Sequence, residues 1–176
     1  MADPMLPRLT SMHTGRPCWP PAGWRNLITR EPKLRAIEPA VIKWTAERKW
    51  QLIDAAASWK RRLIYSPDLV QHQLKDWWAL PDRYGDCEDY ALAVRNTLTQ
   101  AVYGTWPLGA LRLVTCLTDL RRGKRQAHAV LCAVTDAGDW IIDPRRPGIW
   151  PWANVPYQWG ARECPGRFMW EKLINN

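Results

Sequence analysis

Near Gly104 the hydrophobic period of this chain changes from about 3.6 to about 2, and that switch limits its fold more than any other feature. Before it, Ile42, Ala46, Trp50, Ile53, Ala57 and Ile64 recur largely at three- and four-residue steps, so PAVIKWTAERKWQLIDAAASWKRRLI (39–64) reads as a helix. Ser66 ahead of Pro67 is a cap followed by proline at the first helical position, which predicts a short second helix closed by Pro81. A third helix should start at Asp86 or Cys87. Asp86 suits the cap, Glu88 and Asp89 suit the first turn, and Tyr90, Val94 and Leu98 form one stripe that runs to about Tyr103. Gly104 is its stop. Beyond it, LGALRLVTCLTDL (108–120), AHAVLCAVTD (127–136) and DWIID (139–143) read as strands, joined by the basic turn RRGKRQ and by Ala137-Gly138. Links this short join antiparallel strands. Helices followed by a meander predict an α+β domain with a helix packed on an antiparallel sheet.

The 176 residues, 47% hydrophobic and 24% charged, suit one globular domain with a core of its own. Residues 1–38, rich in proline and without periodicity, are expected as an extended N-terminal arm, and 39–176 as a single domain whose Trp/Pro-rich end, 144–176, wraps the sheet. Tryptophan outnumbers phenylalanine 13 to 1. Trp44, Trp50, Trp59, Trp77 and Trp78 fall in helical patterns and are expected in the core, while those from Trp140 to Trp170 can fill the core or pave a groove for a peptide or sugar. No run of about 18 apolar residues is present, so no membrane span is expected. The first residues lack an apolar stretch behind a basic head, which makes a cytoplasmic location the expectation. The net charge of +8 suits either a solvated basic surface or weak contact with an anionic polymer, with local clusters at Lys60-Arg61-Arg62 and Arg121–Arg125. Zinc-finger spacing, RNA-binding signatures and phosphate loops are missing.

Five cysteines with no CxxC pair are expected as reduced thiols, and Cys116 and Cys132, inside apolar strands, as core residues. Cys87 differs, sitting in YGDCEDYA among three carboxylates. At the start of a helix, free backbone N–H groups and the dipole favour an anion and lower a thiol pKa. His128 falls on the second strand and Asp143 ends the third, so neighbouring antiparallel strands can set them side by side while the helix presents Cys87. A thiol, an imidazole and a carboxylate in this order are what acyl transfer through a thioester requires, with the Cys87 backbone N–H as one oxyanion donor. The bland alternative keeps each residue structural: a capping Asp86, a dipole-complementing Glu88 and Asp89, and Asp143 as a strand-end turn residue before Pro144.

DWWALPDRYGDCEDYALA, HAVLCAV and DWIID, in this order over roughly residues 45–145, resemble the bacterial transglutaminase-like cysteine peptidases. The best-known members of that family are periplasmic proteases that release biofilm adhesins. The resemblance implies a transglutaminase-like, papain-like fold, with Cys87 as nucleophile, His128 as general base and acid, and Asp143 as orienting acid. It also implies calcium beside the cysteine, with Asp86, Glu88 and Asp89 as candidate ligands, a role that suits oxygen donors and a hard cation. This chain departs from the family pattern at Tyr84, where calcium-binding members are expected to carry an acid, and at Pro144, where asparagine is usual. A small unexported member of this kind fits a phage or mobile-element origin.

The leading function is therefore a thiol-dependent amide-bond hydrolase acting on a protein or peptide. A transglutaminase or amidase would use the same three residues, since the acceptor is chosen by the groove. A non-catalytic, basic, Trp-rich binding module is the reading from a different class. Specificity is expected in loops 104–109, 119–126 and 144–170.

Overall fold

A computed structural model describes residues 10–119 and 123–175. Thr14–Cys18 forms β1 and Ala22–Arg30 forms α1. Helix α2, Ala46–Arg62, is capped by Thr45, whose hydroxyl accepts from the Arg48 N–H at 3.1 Å, and it ends on Lys60-Arg61-Arg62, where cations suit the dipole. Ile64–Tyr65 (β2) pairs in parallel with Tyr84–Gly85 (β3), with the single turn Asp68–Gln71 (α3) between them. Helix α4, Cys87–Asn96, widens into a π-type turn over Thr97–Ala101. The remaining strands are β4 (Leu111–Leu117), β5 (Ala127–Thr135), β6 (Gly138–Asp143), β7 (Arg146–Pro151), β8 (Gln158–Arg162) and β9 (Trp170–Leu173).

Seven of these strands form one antiparallel sheet in the order β1-β9-β8-β4-β5-β6-β7. The alternation of strand side chains divides its apolar residues between two faces. Leu111, Leu113, Ala129, Leu131 and Ile142 meet Ala91 and Val94 of α4, Leu52 of α2 and Trp24 of α1 in the larger core. Val114, Val130, Cys132 and Ile141 face the other way, under Met12, Trp152, Tyr157 and Trp159. This is the expected α+β arrangement, a Cys-bearing helix on an antiparallel sheet. All five cysteines are unpaired, and Cys116 and Cys132 are buried, with their thiols pushed up by burial.

Several local expectations are corrected. From Thr14 onward the stretch expected as an extended arm is ordered secondary structure: β1 pairs with β9, and Trp24 and Leu27 of α1 are buried in the core. Proline marks the ends of these elements without excluding them. The first long helix starts at Ala46, because the residues before it are extended and Ile42 bridges Thr135. The second helix is only one turn. Past it, the Asp68 carboxylate takes the Trp77 N–H and Trp78 turns into the core, so tertiary contacts override the helical pattern. Residues 144–176 do not simply wrap the sheet: β7, β8 and β9 belong to it, and only the segment around Trp152–Trp159 covers its back face. The strand expected over 108–120 spans Leu111–Leu117. Leu120 and the Arg121-Arg122 end of the basic turn lie outside the described residues. Trp50, expected in the core, is 59% exposed.

One buried ion pair ties these layers together. Arg95 of α4 donates to Glu163 Oε2 at 2.6 Å and to the Leu34 carbonyl at 2.8 Å, both side chains being almost fully buried. Glu163 also accepts from Trp24 Nε1 and from the Leu113 N–H, each at 3.3 Å.

Candidate active site

Cys87 is the first residue of α4, where the opening N–H groups lack intrahelical partners. Gly85 makes the approach possible, since a Cβ there would come within 2.7 Å of the Asp89 Cβ. The thiol donates to Glu88 Oε2 at 2.9 Å and accepts from the Ala129 N–H of β5 at 3.4 Å, which seats α4 against that strand. Burial pushes the thiol well up, and the Glu88 and Asp86 carboxylates add to the rise. The expectation of a lowered thiol pKa is therefore corrected for the metal-free site. Burial first, and then the Glu88 and Asp86 carboxylates, outweigh the helix start.

His128 opens β5 and Asp143 closes β6, and the antiparallel register brings them together: His128 Nε2 lies 2.8 Å from Asp143 Oδ1. Asp143 is saturated. Its Oδ1 also accepts from the Arg145 N–H at 2.8 Å, and its Oδ2 accepts from the Tyr157 hydroxyl at 2.6 Å. Burial alone would raise this carboxyl, but the bonds from His128, Tyr157 and Arg145 prevail and hold it below its ordinary value. Tyr157 also sets its ring edge-on to His128, with centroids 5.9 Å apart, and burial and the Asp143 charge keep its phenol protonated as a donor. Sequence reasoning missed Tyr157. It lies outside the strand pattern, and only its place under the β6 end gives it a role.

Cys87 and His128 line one cavity of about 500 Å³, together with Tyr90, Asp86, Lys60 and Arg145. Gln126 also borders it, so loops 119–126 and 144–170 reach the cavity as expected, whereas 104–109 supplies none of its lining.

Behind Cys87 the acids converge. Asp68, Asp86 and Asp89 each offer an oxygen within 4.8 Å of the others, and Asp68, Asp76 and Glu88 form a second such group. Asp86 stands at the cap position but makes no side-chain capping bond, and its Oδ1 and the Asp68 Oδ1 are buried without a partner. The capping role expected for Asp86 is thus corrected. Burial, with the crowding of like charges, raises the Glu88 and Asp68 carboxyls and pushes Asp89 up to about 7. Asp68 and Asp76 come from the segment read as helix, so the sequence did not bring them to Cys87. They add two carboxylates to the group formed by Asp86, Glu88 and Asp89.

A cysteine at a helix start, set on an antiparallel sheet whose neighbouring strands β5 and β6 carry a bonded His–Asp pair, is the arrangement of the transglutaminase-like cysteine peptidases. The family model for bacterial transglutaminase-like cysteine proteinases matches residues 14–176, and the chain belongs to that family. It is a hydrolase with protein substrates. Legionella pneumophila LapG in its calcium-bound structure superposes with a TM-score of 0.55 at 25% identity, over 84% of this chain and 75% of that one. The EGTA-treated LapG structure gives 0.55 at 24% identity, over 87% and 75% of the two chains. None of the curated proteins matches the chain. No helix among the described residues is long and apolar enough to cross a membrane.

Proposed function

We propose that this cysteine peptidase cleaves amide bonds through Cys87, His128 and Asp143 by way of a thioester. The observation that carries the reading is the 2.8 Å bond from Asp143 to Nε2 of His128, a residue that lines the same cavity as Cys87. That bond occupies Nε2 and leaves Nδ1 to exchange a proton with the thiol. Nδ1 takes the Cys87 proton as the sulfur attacks the substrate carbonyl carbon. The same proton then passes to the leaving amine as the C–N bond breaks. Water, giving its proton to Nδ1, attacks the thioester; the C–S bond breaks, the acid product leaves and the thiol is regenerated. The first N–H groups of α4 face the oxyanion.

Asp68, Asp86, Glu88 and Asp89 fit a divalent cation, because their oxygens converge and two of them are buried without partners. They are proposed to hold calcium, as one of the LapG structures does by its description. A bound calcium ion would offset the Glu88 and Asp86 charge that adds to burial in raising the Cys87 thiol.

The test is the rate of iodoacetamide labelling of Cys87 against pH, followed by mass spectrometry in wild type and His128→Ala, with calcium and with chelator. A thiolate formed below the ordinary value of about 8.5 in calcium, and lost with His128, supports the assignment. First labelling at Cys18 or Cys164, or no dependence on His128, overturns it.

A further inference from the structure

The catalytic cavity is walled by two cations that the chemistry above does not use. Lys60 lies in the last turn of α2, and Arg145 follows the end of β6. Arg145 is placed there by its own backbone: its N–H bonds to the same Asp143 oxygen that takes His128, so its side chain starts beside the imidazole. Its guanidinium reaches Gln126 Oε1 at 3.2 Å, which is a neutral partner at the cavity rim. Neither Lys60 nor Arg145 is ion-paired among the described residues. A smaller cavity of about 190 Å³ shares Lys60, Tyr90 and Pro144 with the main one and adds Arg61, the Asp143 carboxylate and Arg146, which pairs with Asp119 at 3.7 Å. Among the described residues Asp86 is the carboxylate lining the main cavity, and it belongs to the acid cluster beside Cys87. Two cations that line a cleft without an ion-pair partner complement a negative ligand that arrives with the substrate.

We propose that the substrate segment carries an aspartate or glutamate next to the scissile bond, received between Lys60 and Arg145. This rests on the peptidase reading above and names the substrate class of the same site. Arginine offers the fork that matches a carboxylate, and lysine a point charge across the cleft. Selection then comes from differential binding of acidic over neutral segments.

Two readouts separate this inference from the reading beneath it. In the first, Cys87 is alkylated with anionic iodoacetate and with neutral iodoacetamide, and the ratio of rates is compared with that of a free cysteine peptide. Both reagents meet the same thiolate, so the ratio is insensitive to a change in thiol pKa and reports potential in the cleft. The ratio should exceed the peptide's and fall roughly three- to tenfold in Lys60→Gln/Arg145→Gln. It should also shrink as salt rises. An unchanged ratio in the double variant overturns the inference. In the second, synthetic peptide mixtures that differ only by Glu or Gln at each position are digested, and products are identified by mass spectrometry. Glu peptides should be preferred, and Arg145→Glu should reverse the preference toward Lys peptides. Equal cleavage of Glu and Gln peptides overturns the inference and leaves the peptidase intact. No cleavage of any peptide, together with a charge-dependent alkylation ratio, supports the anion-receiving cleft and instead sinks the hydrolytic reading.

Discussion

Replacing Glu163 by glutamine should destabilise the fold far more than its near-identical shape suggests. The Glu163 carboxylate serves three donors with two oxygens: Arg95 and the Leu113 N–H on Oε2, and Trp24 Nε1 on Oε1. A glutamine has one oxygen. Pointed at Arg95, it sets its NH₂ against the indole N–H; flipped, it sets that NH₂ against a guanidinium. Arg95 keeps the Leu34 carbonyl but becomes a buried cation without a counter-charge. Breaking such a pair on one side costs about 3–5 kcal/mol, and the retained oxygen argues for about 3. At about 2–4 °C per kcal/mol for a chain of this size, Tm should fall by about 6–12 °C. Thermal and urea unfolding of wild type and Glu163→Gln measure it. Arg95→Met/Glu163→Leu, which removes both charges, should be more stable than the single variant. A single variant within about 1 kcal/mol of wild type, or a double variant less stable than Glu163→Gln, would refute the argument that the pair is held by mutual compensation.

Tyr157→Phe keeps the ring against His128 but removes a donor to Asp143. Stability at pH 7 should drop by about 1.5–3 kcal/mol, read by urea unfolding. Because the bond helps hold the folded Asp143 pKa below its ordinary value, this contribution is present above about pH 3.9 and lost as pH falls through the folded value, so the gap between variant and wild type should narrow in acid. The metal-free protein should show the opposite trend from Asp89. Its folded pKa of about 7 lies above the unfolded value, so the folded state retains a proton that the unfolded chain has lost, and stability declines as pH rises from about 4 toward 7. Calcium titration followed by calorimetry should flatten that slope and raise Tm, and Asp68→Asn should weaken both effects. A Tm insensitive to calcium at pH 7 would remove these acids from metal binding. Gly85→Ala should lower stability and labelling of Cys87 together, because its Cβ meets the Asp89 side chain.

The parts of the molecule legible in the sequence are those governed by local period. Helix α4 and the β4-β5-β6 meander carry their own hydrophobic signal, and they place Cys87, His128 and Asp143 in turn. What stayed hidden depends on distant partners. β1 and β9 are short strands that have little pattern of their own and exist as a pair. The segment after α3 is helical in pattern, yet the Trp78 ring and the Asp68 carboxylate gain more from burial and from the Trp77 N–H than another turn would provide. Asp68, Asp76 and Tyr157 come close to the site only through those long-range contacts, so no spacing in the chain announces them. The departure at Tyr84 pointed away from a metal. Asp68 and Asp76, from another segment, lie close to Asp86, Glu88 and Asp89.

The pairing of Thr14–Cys18 with Trp170–Leu173 also sets a clock. On the ribosome, β1 has no strand neighbour in the sheet until Trp170–Leu173 has been added. Glu163, the counter-charge of Arg95 on the cysteine-bearing helix, likewise emerges long after that helix. Cys87, His128 and Asp143 are therefore all made before the frame around them can close. A nascent protease that stays loose until β9 has emerged has little opportunity to cut its neighbours or itself, and chain order alone supplies the delay.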